Sequence, residues 1–153
     1  MNNDKTGEYH MSARGLEVID ATVQKTYEWI NELKGRLDWS SDRDALRLLR
    51  VTLQQIRDRV QANESAQISA QLPILIRGLF FEGWQPHLVP LKDRSAIDLI
   101  TAIEHHVGDV MEYRGQQDIV TVFKLLNARI SVGEINDIRA NLPEDIRALW
   151  PEP

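Results

Sequence analysis

The feature that most constrains the fold of this chain is a segment that occurs twice. The chain reads AQLPILIRGLF at 70–80 and ANLPEDIRALW at 140–150, an offset of 70 residues without a gap. Ala, Leu, Pro, Ile, Arg and Leu recur in place, and an aromatic residue closes each copy. Proline cannot continue a helix, because it lacks the backbone N–H, but it fits the first turn of a new one. Each copy therefore predicts a break between two helices.

Apolar residues at helical spacing precede the first copy of the segment. The first stripe steps by three and four through Leu16, Ile19, Val23, Tyr27, Ile30, Leu33 and Leu37, which predicts one face of a long helix. A second stripe over 46–60 follows Ser41, which stands three before Asp44 as in a capping box. Asn63 is predicted to cap a third helix that runs to Leu72. Pro73 then opens a fourth helix, which runs to about residue 81.

The same order of signals returns after 95. Ser95 and Ser131 stand three before Asp98 and Glu134, stripes lie at 97–107 and 119–130, and Pro143 opens a last short helix. No strand-like alternation occurs anywhere in the chain. The sequence therefore predicts an all-α domain at 15–151, made of two tandem pseudo-symmetric repeats of about four helices that pack into one helical bundle. Its parts are repeat one (15–84), a linker (85–94) and repeat two (95–151), after a flexible tail at 1–14.

Composition limits the classes of function. The chain has 153 residues, no cysteine and a formal net charge of −5. The lack of cysteine removes thiolate chemistry and disulfides, and it fits a reducing compartment. The net acidic charge disfavours a general nucleic-acid or anionic-membrane binder. No apolar run is long enough to span a membrane, and 1–14 has no apolar centre as a signal peptide would, so a cytoplasmic protein is expected.

Several motifs resemble those of one bacterial family. They are GLEV at 15–18, VQKT at 23–26, QLPILIRG at 71–78, FEGW at 81–84 and the Leu-Pro, Ile-Arg and Leu-Trp-Pro of 142–151. The chain is similar over about 13–151 to the uncharacterised family catalogued as domain of unknown function 2267. The resemblance implies an all-helical, duplicated fold. It implies no activity, cofactor or catalytic residue.

Arg77 and Arg147 are polar residues within the repeated segment, each four positions after its proline. One hypothesis makes them a pair of anchors for an anion or a partner, because guanidinium binds carboxylate and phosphate in a bidentate way. The alternative, which is favoured, is a structural ion pair with Glu64 and Glu134, which recur at the same offset.

A basic stripe on the second helix is another candidate site. Arg43, Arg47, Arg50 and Arg57 are spaced to share one narrow face. Such a face could bind phosphate, but Asp42, Asp44 and Asp58 lie near it and the equivalent positions of repeat two are not basic. A solvated face or a protein–protein surface is therefore favoured over nucleic-acid binding.

The remaining polar and aromatic clusters give weaker evidence for a functional site. Glu104, His105, His106 and Asp109 do not have the spacing of a metal site, since adjacent helical residues diverge by about 100°. His87 is a lone loop residue, and no metal or cofactor is predicted. Phe80, Phe81 and Trp84, with Trp150, are expected in the core. An exposed patch around Phe81 and Trp84 would indicate a partner surface.

Two function classes, and a weaker third, remain open. No catalytic motif such as Gly-x-Ser-x-Gly, His-Glu-x-x-His or a phosphate loop occurs in the chain. The favoured hypothesis is a non-enzymatic structural or protein–protein interaction module, which binds itself or another protein through the basic face or the aromatic residues. The alternative is a small-molecule binder or enzyme with a pocket between the repeats, lined by Arg77, Arg147 and aromatics. Nucleic-acid binding through the arginine stripe is a weaker third.

Overall fold

The computed structural model describes residues 15–153, which form eight α-helices and no strand. The helices are α1 (Glu17–Leu37), α2 (Asp42–Arg57), α3 (Ala62–Ser69), α4 (Ile74–Phe81), α5 (Ala96–Val107), α6 (Gln116–Arg129), α7 (Val132–Asn141) and α8 (Glu144–Leu149). A 3-10 turn, Pro86–Leu88, lies between α4 and α5. The all-α prediction is confirmed, and the predicted tail at 1–14 lies outside the described residues.

Serine side chains start three of the helices as predicted. The hydroxyls of Ser41, Ser95 and Ser131 accept hydrogen bonds from backbone N–H groups three residues later, at 3.1, 3.0 and 3.3 Å. Each bond satisfies one of the N–H groups that a helix leaves free at its start. The two prolines, Pro73 and Pro143, occupy the N-cap positions of α4 and α8. The break predicted from the repeated segment is therefore present in both copies.

The predicted start and end of the third helix were wrong. Gln61, not Asn63, is the N-cap of α3, and its side chain makes no capping bond. The extended backbone of Gln61 and its carbonyl, which accepts from the N–H groups of Glu64 and Ser65, set the helix start instead. The helix ends at Ser69, because the next residues form a turn that leads to the N-cap proline of α4.

Helices from the two halves of the chain pack against each other. α1 contacts α6 and α2 contacts α5, while α2 also contacts α6 and α3 contacts α7. Within the halves, α1 and α2 pack together and both contact α4, and α5 contacts α8. One continuous apolar core results, which runs from Leu33 and Leu48 in the first half to Phe123 and Trp150 in the second. The rings of Phe123 and Trp150 stack with centroids 4.5 Å apart.

Three ion pairs connect the halves, and the two shortest involve Arg59 and Arg129. Arg59, which follows α2, donates to Asp98 on α5 at 2.6 Å, and Arg129 on α6 donates to Glu32 on α1 at 2.7 Å. Arg59 is 1% exposed, so its charge lies inside the molecule and needs this carboxylate. No described helix is both long and apolar enough to cross a membrane.

Some helix boundaries repeat at the sequence offset, but those of α2 and α6 do not. α3 and α7, and likewise α4 and α8, begin 70 positions apart, and α1 and α5 end 70 positions apart. Their starts do not match, because α5 begins at Ala96 while α1 already begins at Glu17. The α1 extension, 17–25, therefore has no helical counterpart in the second half.

Candidate functional site

Arg77 and Arg147 hold the ends of helices. Nε of each donates at 2.9 Å to a backbone carbonyl of the preceding helix, Ser69 for Arg77 and Arg139 for Arg147. An Nη2 donates to the carbonyl of Leu72 in the first case and of Leu142 in the second. Last-turn carbonyls lack helical partners and carry partial negative charge, so guanidinium groups stabilise them.

The predicted partners of these arginines were therefore wrong. Neither Glu64 nor Glu134 pairs with them, because both guanidinium groups turn to backbone carbonyls instead. Arg147 borders a surface cavity of about 290 Å³ with Asn136, Arg139 and Ala140, none of them aromatic.

The arginine stripe of α2 is not one surface. Arg57 is 5% exposed and donates to the carbonyls of Phe80 and Glu82 at 2.8 and 2.9 Å, with Asp58 as its ion-pair partner. The expectation that it shares an exposed basic face is wrong, because α4 packs over that end of α2.

The other three arginines of the stripe differ in their partners. Arg47 pairs with Asp109 and Arg50 with Glu82, both at 3.2 Å. Arg43 is exposed and has no ion-pair partner among residues 15–153. The stripe therefore leaves a single free guanidinium.

The aromatic residues after α4 form a partly buried cluster. The ring of Phe81 lies 4.9 Å from that of Phe80 and 4.9 Å from that of Trp84. Phe80 is in the core, whereas Phe81 and Trp84 are half-buried. The predicted core position is thus right for Phe80 and only partly right for its two neighbours.

The histidines of the described chain lie in the last turn of α5 and in the 3-10 turn. His105 and His106 are exposed with their rings in edge contact, and His87 lies exposed in the 3-10 turn. Glu104 accepts a 2.7 Å hydrogen bond from the Tyr113 hydroxyl; burial and this bond raise the pKa of Tyr113. Within residues 15–153, no group of three acidic or histidine side chains is placed to hold a metal ion.

An apolar surface on α1 and α4 was missed from the sequence. We define the α1–α4 surface by its exposed members, Leu16, Val18, Ile19, Ile74 and Leu75. Leu16 and Ile19 belong to the stripe that predicts a buried face, but about half of each is exposed. This part of α1 contacts α4 at Thr22, while Leu16, Val18 and Ile19 stay exposed. The expectation of burial over the whole stripe was wrong at these positions, and also at Tyr27 and Ile97.

Two clefts flank the point where α4 meets α1. Thr22 accepts a 2.9 Å hydrogen bond from the backbone N–H of Leu75 at this crossing. On one side, the α1–α4 cleft of about 250 Å³ is lined by Val18, Ala21, Thr22, Lys25, Leu72, Pro73 and Ile74. On the other side, the α1–α2 cleft of about 490 Å³ is lined by Val23, Thr26, Tyr27, Ile30, Leu46 and Leu75, with Asp42 and Arg43.

The second half of the chain differs at the same positions. Glu144 and Asp145 stand where α4 has Ile74 and Leu75. Asp145 accepts a 2.7 Å hydrogen bond from the N–H of Ala96 and so caps α5, whereas α1 continues through the equivalent point. This contrast between the repeats is the signal in the sequence that could have identified the surface.

Comparison with known proteins identifies a family for this chain. The sequence profile of the family described as "Uncharacterized conserved protein (DUF2267)" matches residues 26–149, which is most of the chain. No curated protein matches the chain. The match includes the first copy of the repeated segment, all but the last residue of the second, and all helices from α2 to α8. The chain therefore belongs to the DUF2267 family, as its motifs indicate.

Proposed function

We propose that this protein is a non-enzymatic interaction module of the bacterial cytoplasm that binds a partner protein through the α1–α4 surface. The observation that carries the proposal is a set of exposed apolar side chains at the start of α1 and on α4, of which Ile74 and Leu75 have carboxylates at the equivalent positions of repeat two. Exposed apolar patches mark interaction sites more often than scattered apolar residues do.

The shape and charge of the surface indicate the kind of partner. The α1–α4 cleft is narrow and apolar between Val18 and Ile74, a size that suits one aliphatic side chain at a time. Lys25 lies at its edge, exposed and without an ion-pair partner in the described chain. The partner we propose is therefore a segment of another protein that presents aliphatic side chains and a carboxylate.

We propose that the fold beneath this surface is a pair of pseudo-symmetric repeats. The support for this fold is the 70-residue offset between the starts of α3 and α7 and of α4 and α8, the matching bonds of Arg77 and Arg147, and the packing of α1 on α6 and of α5 on α2. On this view the shared core is structural and the α1 extension is the part that adds binding.

The substitution Ile74→Glu tests the proposal. Glutamate is the residue that repeat two carries at this position, at the start of a helix where a carboxylate is favourable, so the variant is expected to fold. In affinity capture from cells that make the protein, we expect partner recovery to fall about tenfold or more, as for a central interface residue. Ile97→Glu, on α5 and 77% exposed, is the matched control and should retain the partner.

Three results would contradict the proposal. Equal recovery with wild type and Ile74→Glu would remove the surface from binding. Lys25→Glu binding as tightly as wild type would remove the carboxylate from the partner. A dimer in light scattering that dissociates on Ile74→Glu would make the occupant a second copy rather than another protein.

A further inference from the structure

We propose that the α1–α2 cleft binds a small amphipathic anion, with its aliphatic part in the cleft and its charged group on Arg43. This inference goes beyond the protein-docking function. The cleft shares none of its lining residues with the α1–α4 cleft, since the crossing of α4 over α1 separates the two. Leu75 belongs to both the cleft and the α1–α4 surface, so each site is tested at a residue that only it contains, Arg43 for the cleft and Ile74 for the surface.

The cleft has the size and lining of a ligand site. Its volume of about 490 Å³ lies within the range of small-molecule pockets, about 300–1,000 Å³. Thr26 and Ile30 on its inner side are buried. The hydroxyl of Thr26 already donates to the Thr22 carbonyl at 2.7 Å. The floor therefore has no free hydrogen-bond donor, so it favours a hydrocarbon group.

The rim of the cleft carries one uncompensated positive charge. The carboxylate of Asp42 forms an ion pair with Lys34 Nζ at 2.7 Å, which neutralises its charge. Arg43 has no ion-pair partner in the described chain, in contrast to Arg47 and Arg50 on the same helix. A free guanidinium beside an apolar cleft is complementary to a carboxylate or phosphate joined to an aliphatic group.

Repeat two differs from repeat one at the residues that give the cleft its charge and part of its apolar wall. Tyr113, Gln116 and Asp145 stand where repeat one has Arg43, Leu46 and Leu75. The hydroxyl of Tyr113 is bound to Glu104, and α5 begins too late to supply the wall that Val23 forms on α1. Of the cleft lining, only Val23 belongs to the α1 extension, and it joins Arg43, Leu46 and Leu75 as a residue that sets this cleft apart from the second half.

The test compares three probes with one aliphatic chain and different head groups. Decanoate, 1-decanol and decyltrimethylammonium are titrated into the full-length protein by calorimetry below their micelle concentrations. We expect decanoate to bind about tenfold more tightly than decanol, the effect of one charge-assisted contact. The cationic probe should bind most weakly. In Arg43→Gln, decanoate affinity should fall to that of decanol while decanol affinity is unchanged.

Matched variants separate this site from its surroundings. Arg50→Gln removes an exposed arginine of the same helix and should leave all three affinities unchanged. Leu46→Gln, which copies Gln116 of repeat two, should weaken all three probes together. Ile74→Glu should keep decanoate binding even where it abolishes partner capture, so failure of one proposal is distinguishable from failure of the other.

The outcomes that overturn the inference are specific. Equal affinity for the three head groups, or an Arg43→Gln variant that binds decanoate as wild type does, would remove the anion site. No binding of any probe would remove the cleft as a ligand site. Sedimentation with phosphatidylglycerol vesicles, without binding of free decanoate, would place the contact on a membrane surface instead.

Discussion

Arg43, Arg57 and Arg77 carry the same side chain, but their surroundings give them different roles. Arg57 is buried and binds two carbonyls at the end of α4, and Arg77 binds the carbonyls that end α3. Arg43 alone of the three faces solvent without an ion-pair partner among the described residues. A guanidinium that binds backbone carbonyls stabilises the fold. Arg43 makes no such bond in the described part of the chain, so it is the arginine of the three that we propose for ligand binding.

Glu64 is a residue at which charge opposes folding. Burial raises its pKa above the ordinary value, and the nearby carboxylates of Asp137 and Glu134 raise it further. One of its carboxylate oxygens is buried without a hydrogen bond among the described residues. The folded state therefore binds a proton more tightly than the unfolded state does, and stability falls as pH rises from the unfolded pKa through the folded one.

Glu64→Gln is accordingly expected to stabilise the protein at pH 7 by about 0.5 kcal/mol, the size of one like-charge repulsion on a helix surface. Below the unfolded pKa of glutamate the advantage should disappear. Urea unfolding at several pH values measures both effects. Glu152→Gln, near the exposed C-terminus, is the control and should change stability little at any pH. A destabilised Glu64→Gln protein at pH 7 would contradict this account.

At the scale of elements, the connection between α3 and α4 is built in the same way as the connection between α7 and α8. A proline occupies the N-cap of the second helix, and an arginine four residues later donates back to the last carbonyls of the first. Each arginine thus stabilises the helix that precedes its own.

Arg77→Ala and Arg147→Ala are each expected to lower the free energy of unfolding by about 2 kcal/mol, because each removes charge-assisted bonds to at least two carbonyls. Substitution of either arginine by lysine should not restore the stability, since one ammonium group cannot reproduce the bidentate geometry of a guanidinium. Urea unfolding followed by circular dichroism measures both changes. Arg36→Ala, which removes an exposed pair with Glu32, is the control and should cost about 0.3 kcal/mol. If Arg77→Ala lowers the free energy of unfolding by no more than this control does, then water binds these carbonyls as well as the guanidinium.

At the scale of the whole molecule, the two halves are connected through their core and through buried charge. Arg59 reaches Asp98 across the boundary between the halves, and Arg94 from the linker donates to the Arg59 carbonyl. On the other side, burial of Glu32 raises its pKa, but hydrogen bonds from Arg36 and Arg129 outweigh this effect and lower it overall. The halves should therefore unfold as one unit.

Asp98→Ala tests this cooperativity. It leaves the buried Arg59 guanidinium without its carboxylate, so we expect a loss of about 3 kcal/mol in one transition with an unchanged denaturant slope. Asp93→Ala, in the exposed linker, should stay within about 0.5 kcal/mol of wild type. Two separate transitions would mean that the halves fold independently.

Local chemistry explains which parts of the fold were predictable. The serine caps at Ser41, Ser95 and Ser131 and the proline breaks at Pro73 and Pro143 act through neighbouring backbone groups, so sequence spacing is sufficient to place them. The all-helical class and the family membership follow from the same patterns. The start of α3 was missed because backbone geometry at Gln61, without a side-chain cap, sets it.

The candidate site depended on tertiary structure. The periodicity of α1 is continuous from Leu16 to Leu37, and only the tertiary structure shows that Leu16 and Ile19 stay exposed while Leu33 and Leu37 enter the core. Spacing likewise places Arg43 and Arg57 on one face, but α4 buries the second and leaves the first exposed. Helix periodicity and caps are short-range properties that the sequence determined by itself. Burial and charge pairing depend on what distant segments bring alongside, so only the tertiary structure decided them.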